Sequence, residues 1–298
     1  MSPTFGLKTT PMHVPYADIR RVWLEADEVP QLRDAWLWDH FLPLRGPKDG
    51  DVLEGWTLLT ALAAQTSRLR LGLLVTNNRA RHPAVLGKIA STLDVISEGR
   101  LIMGLGAGGT VQAAGQHGIQ GPNPGIEEYL AYGLELVPPR EGLDRLRETI
   151  EILRRMWTED EFDFHGRYYT LERNRNSPKP VQAGGPPLLI GGWGDRMLRL
   201  VAHYADQWNI SGPPHTDLGT LADRIRRLDA ECERIGRDPA TISRSLQQIV
   251  SYDDPAATRA IVREAVGLGF DHIVLSLPSP YPERVVPWLV REIIDPFD

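Results

Sequence analysis

Cysteine, lysine and long apolar runs are all scarce in this sequence of 298 residues. The single cysteine, Cys232, excludes an internal disulfide, and the first residues lack the basic segment and apolar run of a secretory signal. Apolar stretches such as 71–75 and 273–277 are strand-sized, far below the roughly 20 residues that span a bilayer. We therefore expect a cytoplasmic protein with no membrane association.

An excess of positive charge is absent as well. The 33 Lys and Arg residues face 39 Asp and Glu residues, and the formal net charge is −6. No Lys/Arg block exceeds two residues, so the charge pattern predicts no nucleic-acid partner. The histidines form no HxxxH or HxH pair, and no acidic cluster has the spacing of metal ligands, so we expect no metal. Because GxSxG and GxxxxGK[ST] are also absent, serine-hydrolase and nucleotide-triphosphatase chemistry lose their main support.

Short apolar runs alternate with amphipathic stretches, which is typical of repeated βα units and a parallel sheet. Eight runs qualify as strands, the number that closes a barrel. They are Thr4 to Lys8, Ala35 to Trp38, Leu69 to Thr76, Leu101 to Leu105, Leu188 to Ile190, Gln207 to Ile210, Ser245 to Val250 and His272 to Ser276. The pattern predicts the α/β class with a (β/α)8 TIM barrel.

Helices are predicted between these strands. Residues 83–97 open with a proline, stop near a glycine and place Val85, Leu86, Ile89, Leu93 and Ile96 on one predicted core face. Residues 140–157 and 221–235 carry similar apolar stripes, and the second includes Cys232, which we expect to be buried and inert.

Two long insertions interrupt the βα rhythm, at about 109–139 and 158–187. The second is predicted to contain a hairpin around His165 and Gly166. Long irregular loops in compact domains are often functional lids. No linker divides the chain, so we expect one domain over residues 1–298.

In such a barrel the active site lies where the strands end. The second strand is followed by Asp39 and His40, and the fourth and fifth by glycine clusters at 104–109 and 191–194. Glycines there permit positive φ and close backbone approach, so amide groups can face an anion, and a helix that starts near Asp195 adds its positive end. The spacing predicts a phosphate site at residues 191–196, although tight turns alone would also need these glycines.

His40 is suited to acid–base work because an imidazole is the usual side chain for proton transfer near neutral pH. A histidine held by hydrogen bonds beneath the pocket is the alternative. The string 104–109 also fits the dinucleotide pattern GxGxxG, but no amphipathic helix follows it at once, so the Rossmann context is missing.

Several strings together resemble the bacterial luciferase-like monooxygenase superfamily, in particular its branch of deazaflavin-dependent oxidoreductases. They run in family order from residue 37 to 209. They are LWDHF (37–41), LTALAAQTSRLRLGLLVTNNRARHPAVLGKIASTLDVISEGRL (59–101), MGLGAG (103–108), REGLDRLRETIEILRRMW (140–157), FHGRYYTL (164–171), SPKPVQ (177–182) and LLIGGWGDRMLRLVAHYADQWN (188–209).

The resemblance implies that a flavin or 5-deazaflavin lies at the strand C-termini, with coenzyme F420 the expected cofactor and FMN the alternative. It implies that His40 is the acid/base and that Asp39 contacts the ring edge. A bulge behind the ring, sometimes with a cis non-proline peptide, is implied at Leu73, Leu74, Val75 and Thr76. The ring is expected to be lined by Gly106, Ala107 and Gly108, and the phosphate to be held by Gly191, Gly192, Trp193 and Gly194. Arg196, Arg173 and Arg175 are candidates for the anionic tail, or are simple surface charges.

Two departures from the family's sugar-phosphate dehydrogenases argue against a sugar phosphate as substrate. Those enzymes carry a catalytic Glu where this chain has Gly109, and a Trp where it has Leu44. The expected activity is hydride transfer between F420 and a small organic substrate, by a homodimer. The alternatives are an FMN monooxygenase supplied by a partner reductase, and a flavin-binding or carrier protein without catalysis.

Overall fold

Strands and helices alternate along the part of the chain that the computed structural model describes, residues 2–109 and 124–297. The strands are β1 Thr4–Lys8, β2 Leu32–Leu37, β3 Arg70–Leu73, β4 Thr76–Asn77, β5 Met103–Gly106, β6 Phe162–His165, β7 Thr170–Asn174, β8 Leu188–Gly191, β9 Gln207–Ser211, β10 Ser243–Ile249 and β11 His272–Ser276. All eight predicted barrel strands occur, with small shifts at their ends.

Helices occupy most of the connections. They are α1 Tyr16–Asp27, α2 Gly55–Ala63, α3 Pro83–Ile96, α4 Pro124–Ala131, α5 Pro139–Thr158, α6 Asp195–Tyr204, α7 Leu218–Arg234, α8 Pro255–Leu268 and α9 Val285–Leu289, which is followed by a π-helical turn at Val290–Ile294. Among the described helices, none combines the length and the apolarity needed to cross a bilayer.

The barrel strands pair in the parallel order β3-β2-β1-β11-β10-β9-β8-β5-β4. The ring closes between β3 and β5, where Leu71 N–H donates to Arg100 O (3.1 Å) and Ile102 N–H donates to Leu71 O (2.8 Å). The predicted third strand is divided, because the chain breaks its ladder after Leu73 and resumes at Thr76 as β4. The (β/α)8 prediction is therefore confirmed, with one strand in two pieces.

Side chains fill the barrel interior in layers, as the alternation of residues along each strand requires. An apolar layer is formed by Trp36, Leu74, Ile102, Leu189 and Val274. Nearer the strand starts, Asp34 pairs with His272 (3.0 Å) in a buried polar layer. Gly6 must be glycine there, because a methyl group at that position would lie 1.9 Å from Asp34 Oδ1.

The second predicted insertion holds the antiparallel hairpin β6–β7, so the hairpin prediction is confirmed. The first holds α4, and residues 110–123 of that insertion lie outside the described residues. Cys232 is buried, as predicted.

The predicted core face of α3 is wrong at two positions. Val85 is 55% exposed and Ile96 is 41% exposed. Gly87 explains the rotation of this face, because a methyl group there would lie 2.6 Å from Met156 Sδ, so α3 meets α5 along its small residues.

Candidate active site

The carboxyl ends of the parallel strands meet at one mouth of the barrel. The predicted cofactor residues follow β2, β3, β5 and β8, which are consecutive in the ring. The structure therefore brings Asp39, residues 73–76, residues 106–108 and residues 191–194 to one half of the mouth.

The peptide between Leu74 and Val75 is cis, at the position where the resemblance placed the bulge. Leu74 N–H donates to Leu37 O (2.8 Å), which ties the bulge to β2. The Val75 side chain lies against two of the predicted glycines. A methyl group on Gly106 would be 2.5 Å from Val75 Cγ2, and one on Gly191 would be 2.8 Å from Val75 Cγ1. These glycines serve close packing across the mouth, whereas Gly108 and Gly192 have positive φ (79° and 128°) and serve turns.

Asp39 is buried at the end of β2 and bound by Arg81 through two hydrogen bonds. Arg81 Nη1 lies 2.7 Å from Oδ2 and Nη2 lies 3.0 Å from Oδ1, and Asn77 N–H also donates to Oδ2 (2.9 Å). Burial raises the pKa of Asp39, while Arg81 acts against that rise. Arg81 also pairs with Glu54, and although burial opposes its charge, the two carboxylates raise the pKa of Arg81. Asp39 thus joins β2 to the segment that precedes α3.

His40, the predicted acid/base, faces a carboxylate that sequence reasoning missed. Its Nδ1 lies 3.3 Å from both carboxylate oxygens of Glu128, a buried residue on α4. Glu128 also accepts from the backbone N–H groups of Phe41 (2.7 Å) and Leu42 (3.2 Å). Burial opposes the charge on Glu128, but His40 and the two amides outweigh it and lower the pKa of Glu128. The arrangement fixes one ring nitrogen of a side chain that is itself 33% exposed.

Tyr129 explains the glycine at position 109. Its hydroxyl accepts from Gly109 N–H (2.6 Å) and donates to Asn77 Oδ1 (2.6 Å). A methyl group on Gly109 would lie 2.8 Å from the Tyr129 ring, so the aromatic side chain occupies the space that a larger residue would need. The hydroxyl therefore links α4 to the ends of both β4 and β5.

The predicted phosphate site lies at the start of α6. Gly194 is the N-cap residue and provides no side-chain cap, so the first amides of α6 have no side-chain acceptor there. Asp195 in the first turn is paired with Arg224 and Arg227, each at 3.0 Å. Arg224 also lies over the Trp193 ring (5.0 Å), so Arg224 contacts both Asp195 and Trp193. Backbone N–H groups with no side-chain acceptor at a helix start favour an anion.

The three arginine candidates for an anionic tail lie in two places. Arg196 lines a cleft of about 370 Å³ between α5 and α6, together with Arg140, Arg147 and Arg199. Arg173 and Arg175 are exposed on the hairpin side and both pair with Glu161. The structure thus brings only Arg196 next to the predicted phosphate site.

Three groups at the mouth were missed from the sequence, two of them because no local signal marks them. Glu128 and Tyr129 lie on a short helix within a predicted lid, and Glu128 is 88 residues from His40. Lys8 ends the first predicted strand, and extending the search of strand ends to β1 would have found it. In residues 2–109 and 124–297, no three His, Cys, Asp or Glu side chains converge as a metal site.

Comparison with known proteins decides the family. The family model described as luciferase-like monooxygenase matches residues 4–284. The chain belongs to the luciferase-like monooxygenase family. The resemblance read from the sequence motifs is thereby confirmed.

Proteins similar in sequence to this luciferase-like chain include an uncharacterised protein of Mycobacterium tuberculosis (strain ATCC 25618 / H37Rv). It is 33% identical over 179 residues, which are 60% of this chain and 55% of that protein. An F420-dependent glucose-6-phosphate dehydrogenase of Kineococcus radiotolerans is 28% identical over 229 residues, 76% of this chain and 61% of the enzyme. The chain spans less than two thirds of the length of these relatives.

A solved structure of an F420-dependent secondary alcohol dehydrogenase, in complex with an F420-acetone adduct, matches the whole luciferase-like barrel. Its TM-score is 0.81 over 98% of both chains, at 18% sequence identity. At this sequence identity, the structural similarity shows that the two proteins share a fold.

Proposed function

We propose that this protein is an oxidoreductase that uses coenzyme F420 to move a hydride to or from a small organic substrate. One observation carries the proposal: the Val75 side chain, Gly106 and Gly191 form a closely packed surface next to a helix start that has no side-chain cap. A flat ring with a phosphate on its side chain fits both features. The names of the F420-dependent relative and structural neighbour support the same cofactor.

The residues present fit this group. The ring would lie on the Val75 side chain and the glycines, and residues 106–108 would line its edge. The phosphate would meet the amides of residues 191–196, where a methyl group added to Gly194 finds no atom within 4 Å. Arg196 and the arginine cleft beside it would hold the anionic tail. When bound, the deazaflavin supplies or accepts the hydride.

His40 is proposed to give or take the proton through Nε2, since Nδ1 faces Glu128. A carboxylate on one ring nitrogen fixes the orientation of the imidazole. The predicted contact of Asp39 with the ring edge stays a prediction. Its hydrogen bonds to Arg81 and to the Asn77 amide support a positioning role.

The substrate is proposed to be a small molecule other than a sugar phosphate. Gly109 and Leu44 replace the Glu and Trp of the sugar-phosphate dehydrogenases, and the Tyr129 ring occupies the space beside Gly109. We therefore direct the search to alcohols, imines and activated alkenes.

The deciding experiment is a fluorescence titration of the purified protein with F420 and, in parallel, with FMN. Preferential binding of F420 supports the proposal. Preferential binding of FMN overturns it and points to oxygen-dependent turnover with a partner reductase. Binding of F420 followed by equal turnover of wild type and His40→Ala would refute the proton role.

A further inference from the structure

Lys8 is a cation inside the barrel mouth that no carboxylate neutralises within the described part of the chain. Its Nζ donates to Gln247 Oε1 (3.0 Å) and lies 5.9 Å from the centre of the Trp38 ring. None of the ion pairs among the described residues includes it. An ammonium group placed in such surroundings is costly unless a ligand supplies the missing negative charge.

Two further groups beside Lys8 are hydrogen-bond donors without an acceptor. Trp38 Nε1 and Ser276 Oγ are buried and have no partner among residues 2–109 and 124–297. Ser276 is level with Lys8 in the β1–β11 ladder, so both side chains point to the same face. Buried polar groups are rarely left unpaired, and two unpaired donors beside an ammonium group that has no carboxylate partner indicate that an anionic acceptor binds there.

Two of these donors, Lys8 on β1 and Ser276 on β11, lie on strands outside the four that carry the predicted cofactor residues. In the eight-position ring, β1 is four strands from β8 in either direction, so Lys8 lies opposite Gly191. Trp38 lies between Lys8 and His40, with its ring edge-on to the imidazole (5.2 Å between centroids). A molecule bound by these donors would thus lie beside the proposed acid/base and across from the ring surface.

We propose that Lys8, Trp38 and Ser276 form an oxyanion subsite that binds a carboxylate of the substrate. The assignment of the bound carboxylate to the substrate rests on the proposed cofactor position. The existence of the anion site does not depend on that position. Gln247 holds the ammonium in place. The substrate search then narrows to alcohols or activated alkenes that carry an acid group.

The charged and titratable groups around Lys8 agree with an anion as ligand. Burial first, and the positive charge of Arg45 second, lower the pKa of Lys8 to about 8. His40 lies beyond Trp38. Asp34 lies deeper in the barrel and is already paired with His272. An anion that binds the ammonium must raise the pKa of Lys8, because it favours the protonated form.

The test is an NMR titration of Lys8 in the intact protein with labelled lysine. The sequence has only four lysines, and Lys8→Arg identifies the Lys8 resonance while keeping a cation. Acetate is the probe and neutral acetamide its control. We expect acetate to raise the Lys8 midpoint by about half a unit or more, which is a roughly threefold preference for the protonated form, and acetamide to leave it unchanged.

Parallel F420 titrations of wild type, Lys8→Met and the exposed control Lys88→Met separate the two proposals. Equal F420 affinity together with the acetate shift supports the subsite. No acetate shift refutes it. An F420 affinity at least about tenfold weaker in Lys8→Met alone would assign Lys8 to the cofactor instead. If no variant binds F420 but the acetate shift persists, the anion subsite stands and the proposed cofactor fails.

Discussion

At the scale of single residues, Lys8 links the stability of the fold to pH. Burial and Arg45 lower its pKa from 10.5 to about 8 in the folded protein. The unfolded chain therefore binds more protons between these values, and wild-type stability rises with pH across that window by at most about 1.4 kcal/mol per pH unit. We expect Lys8→Met to be more stable than wild type at pH 7, by about 1 kcal/mol after the loss of the Gln247 hydrogen bond. The advantage should shrink between pH 8 and 10.5, as urea denaturation at a series of pH values would measure.

Part of the Lys8 residue reaches solvent, which makes the expected gain smaller than the full pKa difference would give. Lys88→Met is the matched control, because Lys88 is exposed on α3. A stability difference between wild type and Lys8→Met that stays constant from pH 7 to 10.5 would contradict a lowered pKa.

Glu128 provides a second prediction about single residues, this time for turnover. Glu128→Gln keeps an oxygen for the Phe41 and Leu42 amides but removes the charge that faces His40. We expect kcat with F420 to fall by about tenfold or more, since a positioned acid–base group is worth 10² to 10⁴. The KM for F420 should change less than about threefold, because Glu128 belongs to neither the ring surface nor the phosphate site.

Non-additivity distinguishes positioning from a merely structural loss. In a His40→Asn background, Glu128→Gln should cause no further loss of kcat, because its effect passes through the imidazole. Steady-state kinetics of the four proteins measures this. Full additivity of the two losses would show that Glu128 acts elsewhere.

At the scale of elements, the start of α6 separates stability from ligand binding. Asp and Asn are both good N-cap residues, and only Asp brings a negative charge. Position 194 accepts either, since its φ is −67° and a methyl group there meets no atom within 4 Å. We expect Gly194→Asp and Gly194→Asn to raise the unfolding free energy by a few tenths of a kcal/mol, up to about 1 kcal/mol for Asp.

The same pair should differ in cofactor binding. Gly194→Asp is expected to weaken F420 about tenfold or more, because its carboxylate takes the amides and repels the phosphate. Gly194→Asn should weaken it less. Calorimetric melting measures the stability and fluorescence titration measures the F420 affinity. Unchanged F420 affinity in Gly194→Asp would show that the phosphate does not bind at the start of α6.

The elements themselves were largely predictable, and the contacts between them were not. Strands such as 188–190 are short apolar runs and helices such as 140–157 carry periodic apolar stripes, and both patterns depend on neighbouring residues alone. The glycine clusters at 104–109 and 191–194 were recognisable for the same reason. The exposed Val85 shows the limit of such patterns. The rotation of α3 about its axis depends on how it packs against Met156 of α5, which the local sequence does not reveal. Glu128 was invisible because its contact with His40 spans 88 residues.

At the scale of the whole molecule, a buried polar layer joins strands around the barrel below the site. Asp34 of β2 accepts from Trp36 Nε1 (2.5 Å) and pairs with His272 of β11 (3.0 Å). His272 Nδ1 in turn lies 2.9 Å from Ser245 Oγ of β10 and 2.9 Å from Gln207 Nε2 of β9. Strands at four of the eight ring positions thus share one hydrogen-bond and ion-pair network. We expect its loss to destabilise the whole barrel and not one strand alone.

We expect Asp34→Ala to lower the free energy of unfolding by about 3 kcal/mol or more, because it leaves His272 buried without the carboxylate it faces and the Trp36 N–H buried without its acceptor. An exposed control, Arg226→Ala, should change it by less than about 0.5 kcal/mol. The apolar layer that contains Trp36 and Leu74 separates Asp34 from the mouth. F420 affinity of the folded variant should therefore stay within about threefold of wild type, measured below the melting transition. If the free energy of F420 binding fell by as much as the free energy of unfolding, the polar layer would determine the geometry of the site directly. The barrel mouth would then not be structurally independent of the layer beneath it.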